Sequence, residues 1–223
     1  MSALLRTGDI SEFSRVAPAT PVFEDAFAAL ARGTLISTAE GPVAVEDLVP
    51  GILVETTTSG PMPLLWVGSM TVYPEGTPGS GGEAAGLTRL ASDAFGFGRP
   101  ALDLILGPRA RVLYRSSGCR PLVGADQAFA PARAFVDGDG VIPLAPVSPV
   151  RVYHLGFHGQ QAVRANGMEI ESFHPGPDPA AVMMPDALDM FLGLFPHIIR
   201  LSDFGPIDTP RLTAFEVERL QAA

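Results

Sequence analysis

Few side chains in this 223-residue chain are equipped for chemistry, and their spacing keeps most of them apart. The single cysteine, Cys119, lies in Arg115-Ser116-Ser117-Gly118-Cys119-Arg120, which reads as a turn between strands. Flanking arginines can lower a thiol pKa and make it reactive; the plainer reading is an incidental loop cysteine. A lone cysteine excludes an intrachain disulfide and a cysteine-rich metal site. His154 and His158 stand four apart, a spacing that chelates a metal on a helix. Residues 150–157 read as a strand, where that spacing separates them by ~13 Å, too far for one ion. His174 and His197 adjoin prolines and read as surface or capping groups. Asp103, ahead of Leu104-Ile105-Leu106, reads as a hydrogen-bonded structural carboxylate. Thr34 and Ser37 offer hydroxyls close together, but no histidine accompanies them in a recognisable motif.

The elements that must position these groups are mostly short strands. Thr34-Leu35-Ile36-Ser37-Thr38 is rich in β-formers and is broken by Glu40-Gly41-Pro42. Val43-Ala44-Val45 opens a second run, Glu46-Asp47-Leu48-Val49-Pro50-Gly51 turns, and residues 52–58 and 62–67 follow. Turn signals every eight to twelve residues indicate an all-β domain. Further strands are expected within 104–114, 121–135, 141–144 and 150–157, with Ala132-Arg133-Ala134-Phe135 as a piece of short helix. Residues 74–87 are Gly-rich. They lack a Gly-Lys-Ser/Thr and a preceding parallel strand, so a hairpin loop is expected rather than a phosphate cradle. Trp66, the only tryptophan, sits in an apolar strand and reads as core.

Three segments are expected: an N-terminal arm (1–26), a β domain (27–175) and a helical C-terminal extension (176–223). Pro175-Gly176-Pro177-Asp178-Pro179 separates the last two. In the extension Leu188, Phe191, Leu192 and Phe195 fall at i, i+3, i+4 and i+7, a single apolar stripe. Thr213-Ala214-Phe215-Glu216 is a capping box that opens a second helix.

The ordered pieces Gly33-Thr34-Leu35-Ile36, Val45-Glu46-Asp47-Leu48, Gly51 and Trp66-Val67-Gly68 resemble the bacterial branch of the Hint (hedgehog/intein) domain family. Residues 99–106, Val152-Tyr153-His154-Leu155 and Arg164-Ala165-Asn166-Gly167-Met168 extend the resemblance across about 27–175. It implies a pseudo-twofold, mainly β fold of the Hint type. It also implies a reaction: a Cys or Ser attacks the preceding carbonyl, a His protonates the leaving amide, and a Thr or Ser orients the bond. The residues implied for that reaction are absent. The nucleophile position, four before the Gly of GTLI, is Ala29. The family's S-P-x-H motif aligns with Gly107-Pro108-Arg109-Ala110, so hydroxyl and imidazole are both missing. The closing His-Asn of inteins falls near Glu171-Ser172. No catalytic residue is therefore assigned, and the expected function is a non-cleaving binding or structural module. The alternative is self-processing through non-standard residues. A cupin-like β-barrel enzyme would need a clustered His/Glu metal signature, which the sequence lacks.

Composition sets the remaining bounds. With 47% apolar and 17% charged residues the chain can bury a sizeable core. A net charge of −9 and a pI near 4.8 argue against nucleic acid and anionic membrane as partners; a protein partner is the class left open. No cofactor or metal is called for. The first fifteen residues lack an apolar signal core, and no run approaches a membrane span, so a cytoplasmic location is favoured.

Overall fold

The computed structural model describes residues 1–75 and 86–222. Residues 76–85, the middle of the expected Gly-rich loop, lie outside the described residues.

The fold is mainly β, built from two antiparallel sheets. The first runs Val141–Leu144, Leu87–Leu90, Leu104–Leu106, Leu30–Ala31, Val150–Gly156, Trp66–Val72, Ser2–Leu4 and Ile10–Glu12 from edge to edge. The second runs Gln127–Pro131, Arg111–Arg115, Met168–Glu171, Ala162–Ala165, Leu35–Thr38, Leu53–Thr56 and Gly60–Pro63, with Gly41–Ala44 paired onto Leu35–Thr38. Leu35–Thr38 shows how sequence sets register. Ile36 and Thr38 are buried while Leu35 and Ser37 are half-exposed, the period of two that a one-sided strand requires. Gly41, at φ +114°, closes the turn to its partner strand in a conformation that side chains disfavour.

The stretch read as a polar arm is part of the first sheet. Ala3 is fully buried and opposes Trp66, and Ser2–Leu4 pairs on its other side with Ile10–Glu12. Three-residue strands are too short to show a period, which is why composition read them as arm. A short helix, Pro21–Glu24, leads toward the strand Leu30–Ala31.

Two cores result. One lies between the sheets around Leu30, Ile36, Val54, Leu106, Val112, Leu155 and Ile170. The other joins both ends of the chain: Ala3, Phe23 and Phe27 from the start meet Phe173, Phe191, Phe195 and Phe204 from the end, with Trp66 at the centre. The expected stripe folds as the helix Pro185–Leu192, which ends at Gly193, so Phe195 lies just beyond it. Phe191 and Phe195 are buried, and Leu188 and Leu192 half-buried. The indole N–H of Trp66 donates to the Leu194 carbonyl at 2.9 Å, fastening the extension to the β domain. The Thr213 capping box forms as read and starts Ala214–Gln221. No helix among the described residues is long and apolar enough to cross a membrane.

Candidate functional site

The three positions implied for the Hint reaction meet at one place. Leu30–Ala31 and Leu104–Leu106 are neighbouring strands, so Ala29 and Gly107 face each other where those strands end. The peptide between Ala28 and Ala29 is held on every polar atom nearby. The Ala29 N–H donates to the Tyr153 carbonyl (3.1 Å), the Ala28 carbonyl accepts from the Arg109 N–H (3.0 Å), and the Ala29 carbonyl accepts from the Gly107 N–H (2.8 Å). Ala28 and Ala29 are fully buried, and Ala110 is 3% exposed.

Gly107 is a glycine for a packing reason. A Cβ there would lie 2.4 Å from the Ala28 carbonyl oxygen and 2.7 Å from its carbon. A serine cannot enter without moving that carbonyl. Gly107→Ser is therefore expected to lower stability by about 1–3 kcal/mol, the cost of overfilling a packed site. A denaturant midpoint unchanged from the parent would show that the backbone yields freely.

Beside this peptide lies a cluster that motif reading missed. Arg109 pairs with Glu24 (3.2 Å) and Asp25 (3.5 Å), Arg211 with Glu171 (2.8 Å), and Arg111 approaches Glu171 at 3.7 Å. Glu171 is 3% exposed and also accepts from the Gln160 side-chain amide. Arg211 donates to the His174 carbonyl at 2.7 Å. Burial pushes the Asp25 carboxyl up and the Arg111 guanidinium down from their ordinary values. Asp25 Oδ1 and Arg109 Nε are enclosed without a hydrogen-bond partner, although the rest of the Asp25 side chain reaches solvent. The cluster draws on four separate segments, so no local spacing announces it. What the sequence offers is only the alternation of Arg109 and Arg111 around Ala110.

His154 is the one imidazole here. It lies on Val150–Gly156, 6% exposed, with Nδ1 at 2.7 Å from the Asp25 carbonyl and Nε2 at 3.3 Å from the Glu171 carbonyl. The shorter contact requires Nδ1 to carry the proton. Burial pushes its pKa down to about 4, so the ring is neutral at pH 7 and serves only one of its two carbonyls. Such a group braces two chain segments; it is a poor proton donor to a departing amine near neutrality.

The other candidates disperse. His158 is exposed beyond the strand that holds His154. His174 accepts from the Gly176 N–H at Nδ1 and donates from Nε2 to the Gly205 carbonyl, the expected capping role. His197 is half-buried, not on the surface, and burial pushes it to about 4. Asp103 binds the Arg89 guanidinium and the Ser92 N–H, a structural carboxylate. The Thr34 hydroxyl donates to the Ala31 carbonyl at 2.7 Å. Ser172 accepts from the Gln161 N–H at 2.8 Å. Cys119 is a core residue rather than a loop thiol. It is fully buried at the end of the turn Ser117–Cys119, in one core cluster with Val217 and Leu220 of the last helix, and burial pushes its pKa up, against a reactive thiolate. A groove of about 450 Å³ opens along 174–179 and 201–207, lined by His174, Pro175, Pro177, Leu201 and Ile207. None of Ala29, Gly107 and Ala110 lines it.

The sheets, the ordered pieces and this junction define a Hint fold. The Hint domain family matches residues 28–177, and the chain belongs to that family. Among curated proteins, none matches its sequence. Solved structures that resemble the chain do so at low identity. A bacterial intein-like domain from Clostridium thermocellum is 17% identical, with a TM-score of 0.43, over 66% of this chain and 99% of that one. A splice-inactive variant of the AceL NrdHF class 3 split intein is 11% identical, with a TM-score of 0.44, over 65% and 97%. The gp41-1 intein is 12% identical, with a TM-score of 0.39, over 64% and 96%.

Proposed function

We propose that this Hint domain does not cleave or splice itself and acts as a binding or structural module. The observation that carries the reading is the closed junction at Ala28–Ala29. A methyl stands where a nucleophile is needed, and Gly107 is packed against the carbonyl that such a nucleophile would attack. An acyl shift needs a thiol or hydroxyl beside that carbon and a proton donor for the departing nitrogen. The nitrogen instead donates to Tyr153, and the nearest imidazole is neutral and already braced against Asp25. The flanking segments support a structural role as well. The salt-bridge cluster ties Glu24–Asp25, Arg109–Arg111, Glu171 and Arg211 together across the junction.

The test is incubation with dithiothreitol or hydroxylamine, which release thioesters and esters, followed by a denaturing gel. The band is expected to stay intact. Denaturation is essential, because residues 1–28 would stay bound through the Ser2–Leu4 pairing and the second core even if the bond broke. A reagent-dependent N-terminal fragment would support the other reading, self-processing through non-standard residues.

A further inference from the structure

The hairpin tip at Asn166-Gly167 combines a reactive dipeptide with a structural anchor. Asn166 is the only asparagine in the chain. It sits at φ +47° and Gly167 at +86°, in the two-residue connection between Ala162–Ala165 and Met168–Glu171. Both residues are left-handed, as the Asn-Gly hairpin turn demands. Asn-Gly is also the dipeptide in which an asparagine side chain is most open to attack by the next backbone nitrogen, since glycine offers no side chain to block the approach.

The same asparagine ties three elements together. Its Oδ1 accepts from the Leu35 N–H (2.8 Å) and its Nδ2 donates to the Asp103 carbonyl (3.0 Å). Its own N–H donates to the Leu35 carbonyl (2.9 Å), and its carbonyl accepts from the Ala101 N–H (2.7 Å). These partners allow one orientation of the amide, because an N–H must meet the oxygen and a carbonyl must meet the nitrogen. Behind the turn, the Cα of Gly167 is pressed against the 98–101 loop, where an added Cβ would lie 2.6 Å from the Gly98 carbonyl.

We infer that Asn166 is a gated deamidation site, held unreactive by its two side-chain hydrogen bonds and exposed to reaction only when the 162–171 hairpin opens. In the reaction the Gly167 backbone nitrogen loses its proton and bonds to Asn166 Cγ. The Cγ–Nδ2 bond breaks, ammonia leaves, and a five-membered imide forms. Water opens the imide to aspartate or isoaspartate, adding about 1 Da with no change of oxidation state. Closing that ring draws Cγ and Nδ2 away from Leu35 and Asp103, so both side-chain bonds must break first. The step is therefore coupled to local opening. The product cannot restore the anchor. A carboxylate oxygen faces the Asp103 carbonyl with no proton to share, and an isoaspartate lengthens the turn by one bond. Deamidation thus records opening irreversibly and weakens the seat of the Leu35–Thr38 strand.

The test follows intact mass and isoaspartate content of the whole protein at pH 8 and 37 °C, native and in 6 M urea, with peptide mapping across residues 164–171. Native protein is expected to gain the mass increment at Asn166 at least about tenfold more slowly than the unfolded chain. Equal rates would overturn the proposal. Asn166→Asp provides a second readout: a lower melting temperature is expected, and an unchanged one would overturn the claim that deamidation weakens the strand's seat. The outcome is separable from the proposed function, because a gain of 1 Da at Asn166 and a cleavage at Ala28 are read in different mass ranges.

Discussion

Phe195→Ala is expected to cost about 3–5 kcal/mol, the range for truncating a buried aromatic side chain. Phe195 is 1% exposed and lies within 4.8 Å of the Trp66 ring centroid, 5.0 Å of Phe204, 5.1 Å of Phe173 and 5.2 Å of Phe191. Its ring is parallel to that of Phe173, with an interplanar angle of 3°. Removing it leaves a hole in the one core that joins both ends of the chain to the β domain, where little can relax inward. At about 2–4 °C per kcal/mol for a chain of this size, the melting temperature should fall by roughly 6–20 °C. Phe215→Ala is the control. Phe215 is 66% exposed on the last helix, and its loss should change stability by less than about 0.5 kcal/mol. Removal of residues 180–223 should be worse than Phe195→Ala, since it strips Phe191, Phe195 and Phe204 from Trp66 together. A truncated chain as stable as the whole would mean that the extension serves only partners.

The second large effect is a loss of stability in acid, between about pH 6.5 and pH 4. His154 has a folded pKa of about 4 against an ordinary 6.5, because burial penalises its charged form. The unfolded chain therefore binds this proton first. The stability associated with the neutral ring is complete above pH 6.5 and is lost as pH falls toward 4. At 1.36 kcal/mol per pKa unit, the whole contribution is on the order of 3 kcal/mol. His197, pushed the same way by burial, adds to the loss in the same window. Asp25 acts with the opposite sign. Its folded pKa is raised, so its contribution is present in acid and is lost as pH climbs through that value, which offsets part of the drop. Urea midpoints from pH 7.5 to 4 should show the loss, and His154→Gln should flatten the slope whatever it does to the midpoint at pH 7.5. A slope unchanged in that variant would remove His154 from the account.

What the sequence makes legible is what is local. The strands Leu35–Thr38 and Val150–Gly156, the stripe of Pro185–Leu192 and the Thr213 capping box are each fixed within one window of residues, and each appears where its period and punctuation place it. The Hint family is legible for a related reason: its pieces are short, but their order is long-range information. Contacts that exist only after folding are hidden. Ser2–Leu4 is a strand because Trp66–Val72 lies beside it, some sixty residues on. Cys119 is buried because the last helix covers it: Leu220 stands 2.7 Å from where a Cβ on Gly118 would be. The charge cluster around Asp25 and Glu171 comes from four segments, and beyond the alternation of Arg109 and Arg111 nothing local marks it. For the site, the positions that the family resemblance assigns to nucleophile, hydroxyl and imidazole are readable as Ala29, Gly107 and Ala110. That position 107 leaves no room for a side chain is readable only from the backbone of Ala28.

The most direct measurement is the intact mass of the whole chain, denatured after prolonged incubation with excess thiol at neutral pH. A closed junction predicts one species at the full 23.4 kDa, unchanged with time. A growing species that ends at Ala28, with its complement beginning at Ala29, would contradict it.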